Sequence, residues 1–271
     1  MQVHLRDEGR KENLVPIVLL HGTSASLHTW EGWVQALKKE HRVIRFDMPA
    51  FGLTGPSPEN QYTIQDYASV VIAVLDRLRI NTCVLAGNSL GGYAAWVTAL
   101  LYPDRIQRLV LVDASGYPYK SNSVPLGFII ARTPVLNRLA KNLLPRKLVE
   151  TSLKNVYANP LLVTQDLVDR YFDLTTRAGN RQALAQRFSQ TQPGSLAGRI
   201  PELKQPTLIL WGVQDRLIPI AMGERFHREI ADSKFISFDH LGHVPQEEDP
   251  QATVAALKQF LAETKVFNAQ K

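Results

Sequence analysis

The stretch VLAGNSLGGYAAW, residues 84 to 96, constrains the fold more than any other part of the chain. Val84-Leu85-Ala86 reads as a buried strand, and Tyr93-Ala94-Ala95-Trp96 as an apolar helix. Between them lie one hydroxyl, Ser89, and three glycines, Gly87, Gly91 and Gly92. A strand that turns sharply into a helix forces its corner residue into a strained conformation, and side chains beside that corner would clash. The glycines make room, and the turn lifts Ser89 above the end of the sheet.

The rest of the chain supplies strands of the same kind. Short apolar runs at 15–20, 42–46, 83–87, 108–113, 206–211 and 234–238 lack alternation, as strands buried on both faces do. Helical patterns separate them. At 63–78, Val70, Val71, Val74 and Leu78 recur at helical spacing, and Thr63 with Asp66 forms a capping-box signal. Pro250 falls in the first turn of a final helix. Strand–helix repetition predicts a parallel, doubly wound α/β sheet. The rhythm stops between Tyr117 and Ile200, where Pro118, Pro125, Pro134, Pro145 and Pro160 punctuate helical pieces. Because strands resume afterwards, this segment reads as a helical insertion, with residues 1–116 and 201–271 forming one core.

Composition narrows the function classes. The net charge of +6 is uneven: residues 117–200 hold 12 Lys and Arg against 4 Asp and Glu. No basic–aromatic pattern of a nucleic-acid module accompanies them, so nucleic acid is not expected as a partner. No apolar run nears the roughly 18 residues of a membrane span, and the start MQVHLRDEGRKEN lacks signal-peptide features. A soluble protein is expected, cytoplasmic if this start is native and otherwise with a removed leader. The single cysteine, Cys83, precedes the strand core and reads as a buried packing residue.

Gly87-Asn88-Ser89-Leu90-Gly91 matches the G-x-S-x-G nucleophile elbow in its strand–turn–helix setting. A serine hydroxyl needs a base, and the base an orienting acid. The elbow order places acid and then histidine downstream. Asp215 follows the strand 206–211, and His243 follows the strand 234–238, both on the edge that carries Ser89. The rivals are His240 for the base and Asp113 for the acid. Leu241 and Gly242 give His243 freedom to lean over the sheet edge. A metal reading of Asp239, His240 and His243 lacks a further ligand cluster, so neither metal nor cofactor is expected. An oxyanion hole calls for two backbone amides. Leu90, opening the elbow helix, supplies one, and the His21-Gly22 turn presents that of Thr23. His21 itself reads as structural, and Trp30 and Trp33 as core beneath this loop.

HGTSAS, FDMPAFGLTGP, GNSLGG, WGVQDRLIP and GHVPQEEDP, in this order, resemble the α/β-hydrolase superfamily over nearly the whole chain. The resemblance implies a mostly parallel sheet with a helical cap after the family's sixth strand. It also implies that QVHLRDEG corresponds to the family's second strand, so that an upstream strand is missing here. Asp47 and Gly52 fall in a structural loop of the family, with Ala50 in place of the more usual glycine. Members with aspartate at the elbow are epoxide hydrolases or dehalogenases; Ser89 argues against both activities.

Two subfamilies are similar to this chain: lipase-like carboxylesterases, and carbon–carbon hydrolases of ring-cleavage products. The latter usually carry tryptophan after the histidine, where Val244 stands, and a glycine-rich oxyanion loop. The expected function is therefore a serine carboxylesterase acting on small-molecule esters of short to medium acyl chains. A carbon–carbon hydrolase and a non-catalytic ligand receptor are the alternatives. The cap's first half, 124–149, has no acid. Its leucines read as packing on the core and its cations as solvated, or else the cap approaches anionic lipid through Arg138, Lys141, Arg146 and Lys147.

Overall fold

The computed structural model describes residues 1–11, 15–133 and 144–268. Seven strands form one sheet: β1 Leu5–Gly9, β2 Ile17–Leu20, β3 Arg42–Phe46, β4 Cys83–Asn88, β5 Ile106–Val112, β6 Thr207–Gly212 and β7 Ser233–Phe238. Their spatial order is β1-β3-β2-β4-β5-β6-β7. β1 runs antiparallel to β3, and every other pairing is parallel. The six apolar runs of the sequence all became strands, with ends shifted by up to two residues. β1 carries the consecutive charges Arg6, Asp7 and Glu8 instead and pairs at the edge of the sheet.

Both faces of the sheet are covered because successive side chains alternate. Val18, Leu20, Leu85 and Leu111 point to one side, which α2 (Ile64–Arg77) and α3 (Leu90–Leu101) cover. Ile17, Leu19, Ala86 and Val110 point to the other, under α1 (Glu31–Leu37) and α10 (Pro250–Asn268). Trp30 and Trp33 are wholly buried in this second layer, and the Trp33 indole donates to Thr253 Oγ1. Cys83 is buried in the first layer, and burial pushes its thiol pKa up to about 12, so it stays protonated. In α2 both capping-box bonds form between Thr63 and Asp66. The buried stripe is Tyr67, Ala68, Val71, Val74 and Leu75. Val70 and Leu78 from the expected stripe lie at its margins, partly exposed.

Between β5 and β6 the described residues form helices and no strand: α4 Leu126–Arg132, α5 Arg146–Val156, α6 Gln165–Thr176 and α7 Asn180–Gln190, with two short 3-10 turns. These helices share a small core of Val149, Leu153, Tyr157, Val163 and Val168, which Val244 from the far end of the chain joins. At the insertion's margins, Tyr117, Ala197 and Ile200 pack into the main core instead. Arg138 and Lys141, named for the lipid reading, lie outside the described residues, as do the leucines near them. Arg146 and Lys147 are not simply solvated: Arg146 pairs with Asp169 at 2.6 Å, and Lys147 with Glu150 at 3.0 Å. The remaining named helices are α8 Ile220–Glu229 and α9 Pro245–Glu248. Among the described residues, no helix is long and apolar enough to cross a membrane.

The loop after β3 shows why small residues recur there. The buried Asp47 carboxylate accepts from Leu27 N and Leu53 N and meets His4 Nδ1 at 2.7 Å. Gly52 passes over it so closely that a Cβ would lie 2.2 Å from that carboxylate. Ala50 holds a φ of +80°, a conformation that glycine adopts without cost.

The same crowding is strongest at the elbow and makes a stability prediction. A Cβ on Gly91 would lie 2.2 Å from Leu20 O, whereas one on Gly198 meets nothing within 4 Å. Gly91→Ala should cost about 1–3 kcal/mol or more, which for a domain of this size lowers Tm by roughly 2–4 °C per kcal/mol. Gly198→Ala should leave Tm unchanged or slightly raised. Thermal unfolding of the two variants side by side checks the contrast.

Candidate active site

Ser89 closes β4 and caps α3 with φ +55° and ψ −115°, a strained conformation for a residue with a side chain. Backbone bonds hold it there. Its N–H donates to Val112 O on β5, and its carbonyl accepts from Tyr93 N and Ser115 N. The chain around it is stripped of side chains because nothing else fits. A Cβ on Gly87 would lie 2.1 Å from Gly91 O, and one on Gly92 would lie 2.5 Å from the Ala114 Cβ. Gly22 faces the corner from the loop after β2, where a Cβ would lie 3.2 Å from the Ser89 Cβ. The Gly22-Thr23 turn thus borders the serine. Leu90 is the first residue of α3, so its N–H has no partner within the helix.

His21 is held on both ring nitrogens. Nδ1 bonds Gly22 O at 2.8 Å, and Nε2 accepts from Met48 N at 2.9 Å. Burial lowers its pKa, so the ring is neutral, donating from Nδ1. It ties the loop after β2 to the loop after β3.

The loops after β6 and β7 bring Asp215 and His243 to the same edge. Asp215 Oδ2 meets His243 Nδ1 at 2.7 Å, with both side chains buried. Asp215 Oδ1 accepts from Leu217 N at 2.7 Å and Ile218 N at 3.0 Å, so the carboxylate is oriented by its own loop. Ser89 and His243 line one cavity of about 130 Å³, together with Gly22, Thr23 and Asn88. The remaining wall is mostly apolar and comes from the cap helices, including Phe128, Leu148, Leu153 and Leu184; among the described residues, Arg181 adds a cation to it.

His243 is not free to swing. Its N–H donates to Val156 O of α5, and its carbonyl accepts from the Asn88 side-chain amide at 2.9 Å. The same amide donates to Val112 O, so Asn88 fastens the histidine loop to the sheet. Gly242 is small because the cap crosses it: a Cβ there would lie 2.6 Å from Ala158 N and Val156 O. The Glu248 carboxylate completes the clamp. It accepts from Gly242 N at 2.7 Å and from Ala158 N at 2.8 Å, joining histidine loop and cap. Next to it, Glu247 Oε2 accepts from Thr29 and from Tyr171 of α6. Burial raises the pKa of both glutamates. The expected freedom of the 241–243 loop is therefore replaced by tight anchoring. Asn88 and Glu248 were visible in the motifs, but nothing local in the sequence announced their partners 155 and 90 residues away.

The two rivals separate. Asp239 and His240 are exposed, and Asp239 lends only its carbonyl, to Gln214. Asp113, in contrast, is fully buried beside the site, with φ +42°. Its Oδ1 accepts from Gly212 N at 3.1 Å. Among the described residues, Asp113, Asp215 and His243 form the one cluster with metal-ligating spacing, within 4.8 Å of one another. Its histidine nitrogen and Asp215 oxygens are already committed to hydrogen bonds, which suits a proton-holding pair better than a cation. Desolvation, and then the neighbouring Asp215, raise the Asp113 pKa well above the ordinary carboxyl value. Asp113 is thus pushed toward its protonated form beside an oriented carboxylate.

That state makes a pH prediction. A folded-state pKa raised above the unfolded value of about 3.9 stabilises the fold fully below that pH. The contribution then falls as pH rises toward the folded-state pKa. Asp113→Asn keeps the shape but cannot ionise. Relative to this variant, the wild type should therefore lose stability steadily from about pH 4 toward neutrality. Urea denaturation of both proteins at acidic and neutral pH measures this; a difference independent of pH would mean that Asp113 is ionised in the fold.

Similarities to known proteins accord with this geometry. The chain is 27% identical over 259 residues to the uncharacterized hydrolase YugF of Bacillus subtilis, covering 95% of this chain and 92% of that one. It is 28% identical to the 2-hydroxy-6-oxo-2,4-heptadienoate hydrolase of Pseudomonas putida, covering 97% and 93%. Among solved structures, the meta-cleavage product hydrolase of Pseudomonas fluorescens IP01 superposes with a TM-score of 0.83 at 25% identity, covering 97% and 94%. A family model for the alpha/beta hydrolase fold matches residues 15–250. The chain belongs to the alpha/beta hydrolase family.

Proposed function

We propose that the chain is a serine hydrolase of carboxylic esters with apolar acyl groups of short to medium length. The observation that carries this reading is the mostly apolar cavity that converges on Ser89 beside the His243–Asp215 pair. A substrate whose acyl part is hydrocarbon is drawn there by the water it releases. Val244 supports the reading: it is buried against the cap core, so the histidine loop adds another apolar side chain to the cavity.

In this proposal Ser89 Oγ attacks the ester carbonyl while His243 Nε2 takes its proton. Asp215, bonded to Nδ1, fixes the tautomer and balances the imidazolium. The carbonyl oxygen, now negative, is met by the amides of Leu90 and Thr23, in a site where such donors act strongly because water is excluded. The positive end of α3 adds to that field. His243 then returns the proton to the departing alcohol, and water, activated by the same ring, releases the acid from Ser89. Asn88 and Glu248 contribute by holding the ring's loop against sheet and cap. Asp113 keeps a second negative charge from forming beside Asp215.

A second reading, the hydrolysis of carbon–carbon bonds in ring-cleavage products, is favoured by the names of the similar proteins. The same three residues would serve it. A graded series of aryl esters assayed beside a 2-hydroxy-6-oxo-dienoate separates the two. The ester reading expects the higher kcat/KM on esters, with a maximum at short to medium acyl length; the reverse ranking would replace it with the second.

Substitutions test the triad. Ser89→Ala should fold and lose activity by on the order of 10⁴-fold or more, and an organophosphonate should label the wild type at Ser89 but not the variant. Asp215→Asn should cost on the order of 10⁴-fold in kcat, while Asp113→Asn, which preserves a neutral side chain, should be mild. A large loss at Asp113 with a small one at Asp215 would exchange their roles.

A further inference from the structure

Arg187 of α7 is the one strongly buried cation of the cap whose charge no carboxylate answers among the described residues. It is 8% exposed. Its neighbours are the Tyr67 hydroxyl, the hydroxyl of Tyr119 and a second cation, Arg132 of α4. The two guanidinium groups lie over the same ring, Phe188, with centroid distances of 4.6 Å for Arg132 and 5.1 Å for Arg187. Desolvation and the adjacent like charge both press the Arg187 pKa down. Burying a guanidinium is unfavourable unless an anion and hydrogen-bond acceptors accompany it. Here the fold places two cations together and supplies hydroxyl groups, but no acid.

Arg187 also lines a cleft of about 350 Å³, apart from the Ser89 cavity. The two share no lining residue. The cleft follows the seam between core and cap. Tyr62, Tyr67 and Tyr93 form its core side, and Gln190, Thr191 and Ser195 its other side. Tyr93 Oη and Ser195 Oγ meet across it at 3.3 Å, and Gln190 Oε1 accepts from Tyr62 N at 2.8 Å. Among the described residues, no acidic one lines it. A room of this size, bounded by hydroxyl and amide groups around one buried guanidinium, has the composition of an oxyanion site. A guanidinium fork matches the paired oxygens of a carboxylate or phosphate.

We propose that this seam is a second ligand site, separate from Ser89, for a small molecule bearing a carboxylate or phosphate group that seats on Arg187, with Arg132 reinforcing the field. The ligand touches residues of both core and cap, so its binding holds the two together. The site does not rest on the ester reading: of the residues lining it, Leu90 alone enters that reaction, through its backbone amide, and the anion is held by side chains that do not.

Calorimetric titration of the full chain tests it, with inorganic phosphate in one arm and succinate in the other, at ionic strength held constant with chloride. The expected result is one saturable site for at least one of the two anions, with a rise in Tm at saturation. The arm that saturates names the group recognised. R187Q should weaken binding at least tenfold. R132Q changes an exposed side chain and should weaken it several-fold, which keeps the proposal testable if R187Q does not fold. Protein labelled at Ser89 with an organophosphonate should bind the anion as the unlabelled protein does. Three results overturn the proposal: no saturable binding of either anion, binding unchanged in both variants, or binding lost on labelling Ser89, which would put the anion in the Ser89 cavity.

Discussion

The steric corner at Ser89 is the constraint on which the rest of this edge depends. A residue with a side chain is held at φ +55° only because three strands and a helix close around it. Ser89 N bonds the end of β5, Gly91 presses on the end of β2, and Gly92 presses on Ala114 after β5. At both glycines a single methyl group would block the approach. The strain is local, but the elements that impose it are the centre of the sheet, where β2 and β4 are wholly buried. The hydroxyl is therefore positioned by the buried centre of the sheet, and the loops that reach it are oriented around that point.

Those loops are oriented by polar groups buried in pairs. Asn88 joins His243 to β5, Glu248 joins Gly242 to the cap, and Val156 O receives the His243 amide. The histidine loop is thus shared between two layers, and the cap is bonded to the catalytic edge as well as covering it. A cap fixed in this way shapes the cavity directly. Its side chains make the wall apolar, while the sheet edge supplies the polar groups at the floor. The shape of the cavity and the position of His243 are consequently carried by the same contacts.

Burial also decides charge at two places away from the Asp215–His243 pair. Asp113 is pushed toward its protonated form by its depth and by Asp215. On the cap side, Arg187 is buried among hydroxyl groups with Arg132 near it and no acid to answer. The first case resolves by taking up a proton. A guanidinium cannot readily release one, so the second is resolved by water or by an anion from outside.

The sequence by itself determined the features whose cause is local. Continuous apolar runs can be satisfied only as strands covered on both faces. Three glycines around Ser89 are explained only by a crowded strand–turn–helix corner. Thr63 with Asp66 must start a helix where they stand. The order of Ser89, Asp215 and His243 after successive strands follows from chain direction in a parallel sheet, which brings every such loop to one edge. The tertiary structure alone decided what depends on partners distant along the chain. Asp113 could be read as a turn residue until its burial against Asp215 pushed it toward its protonated form. Gly242 could be read as freedom for the histidine until the cap was found lying across it. Asn88, Glu248 and Arg187 have no local signature, because a hydrogen bond or an unanswered charge is set by what the fold places opposite. The sequence names the side chain, but only packing removes the water that would otherwise have satisfied it.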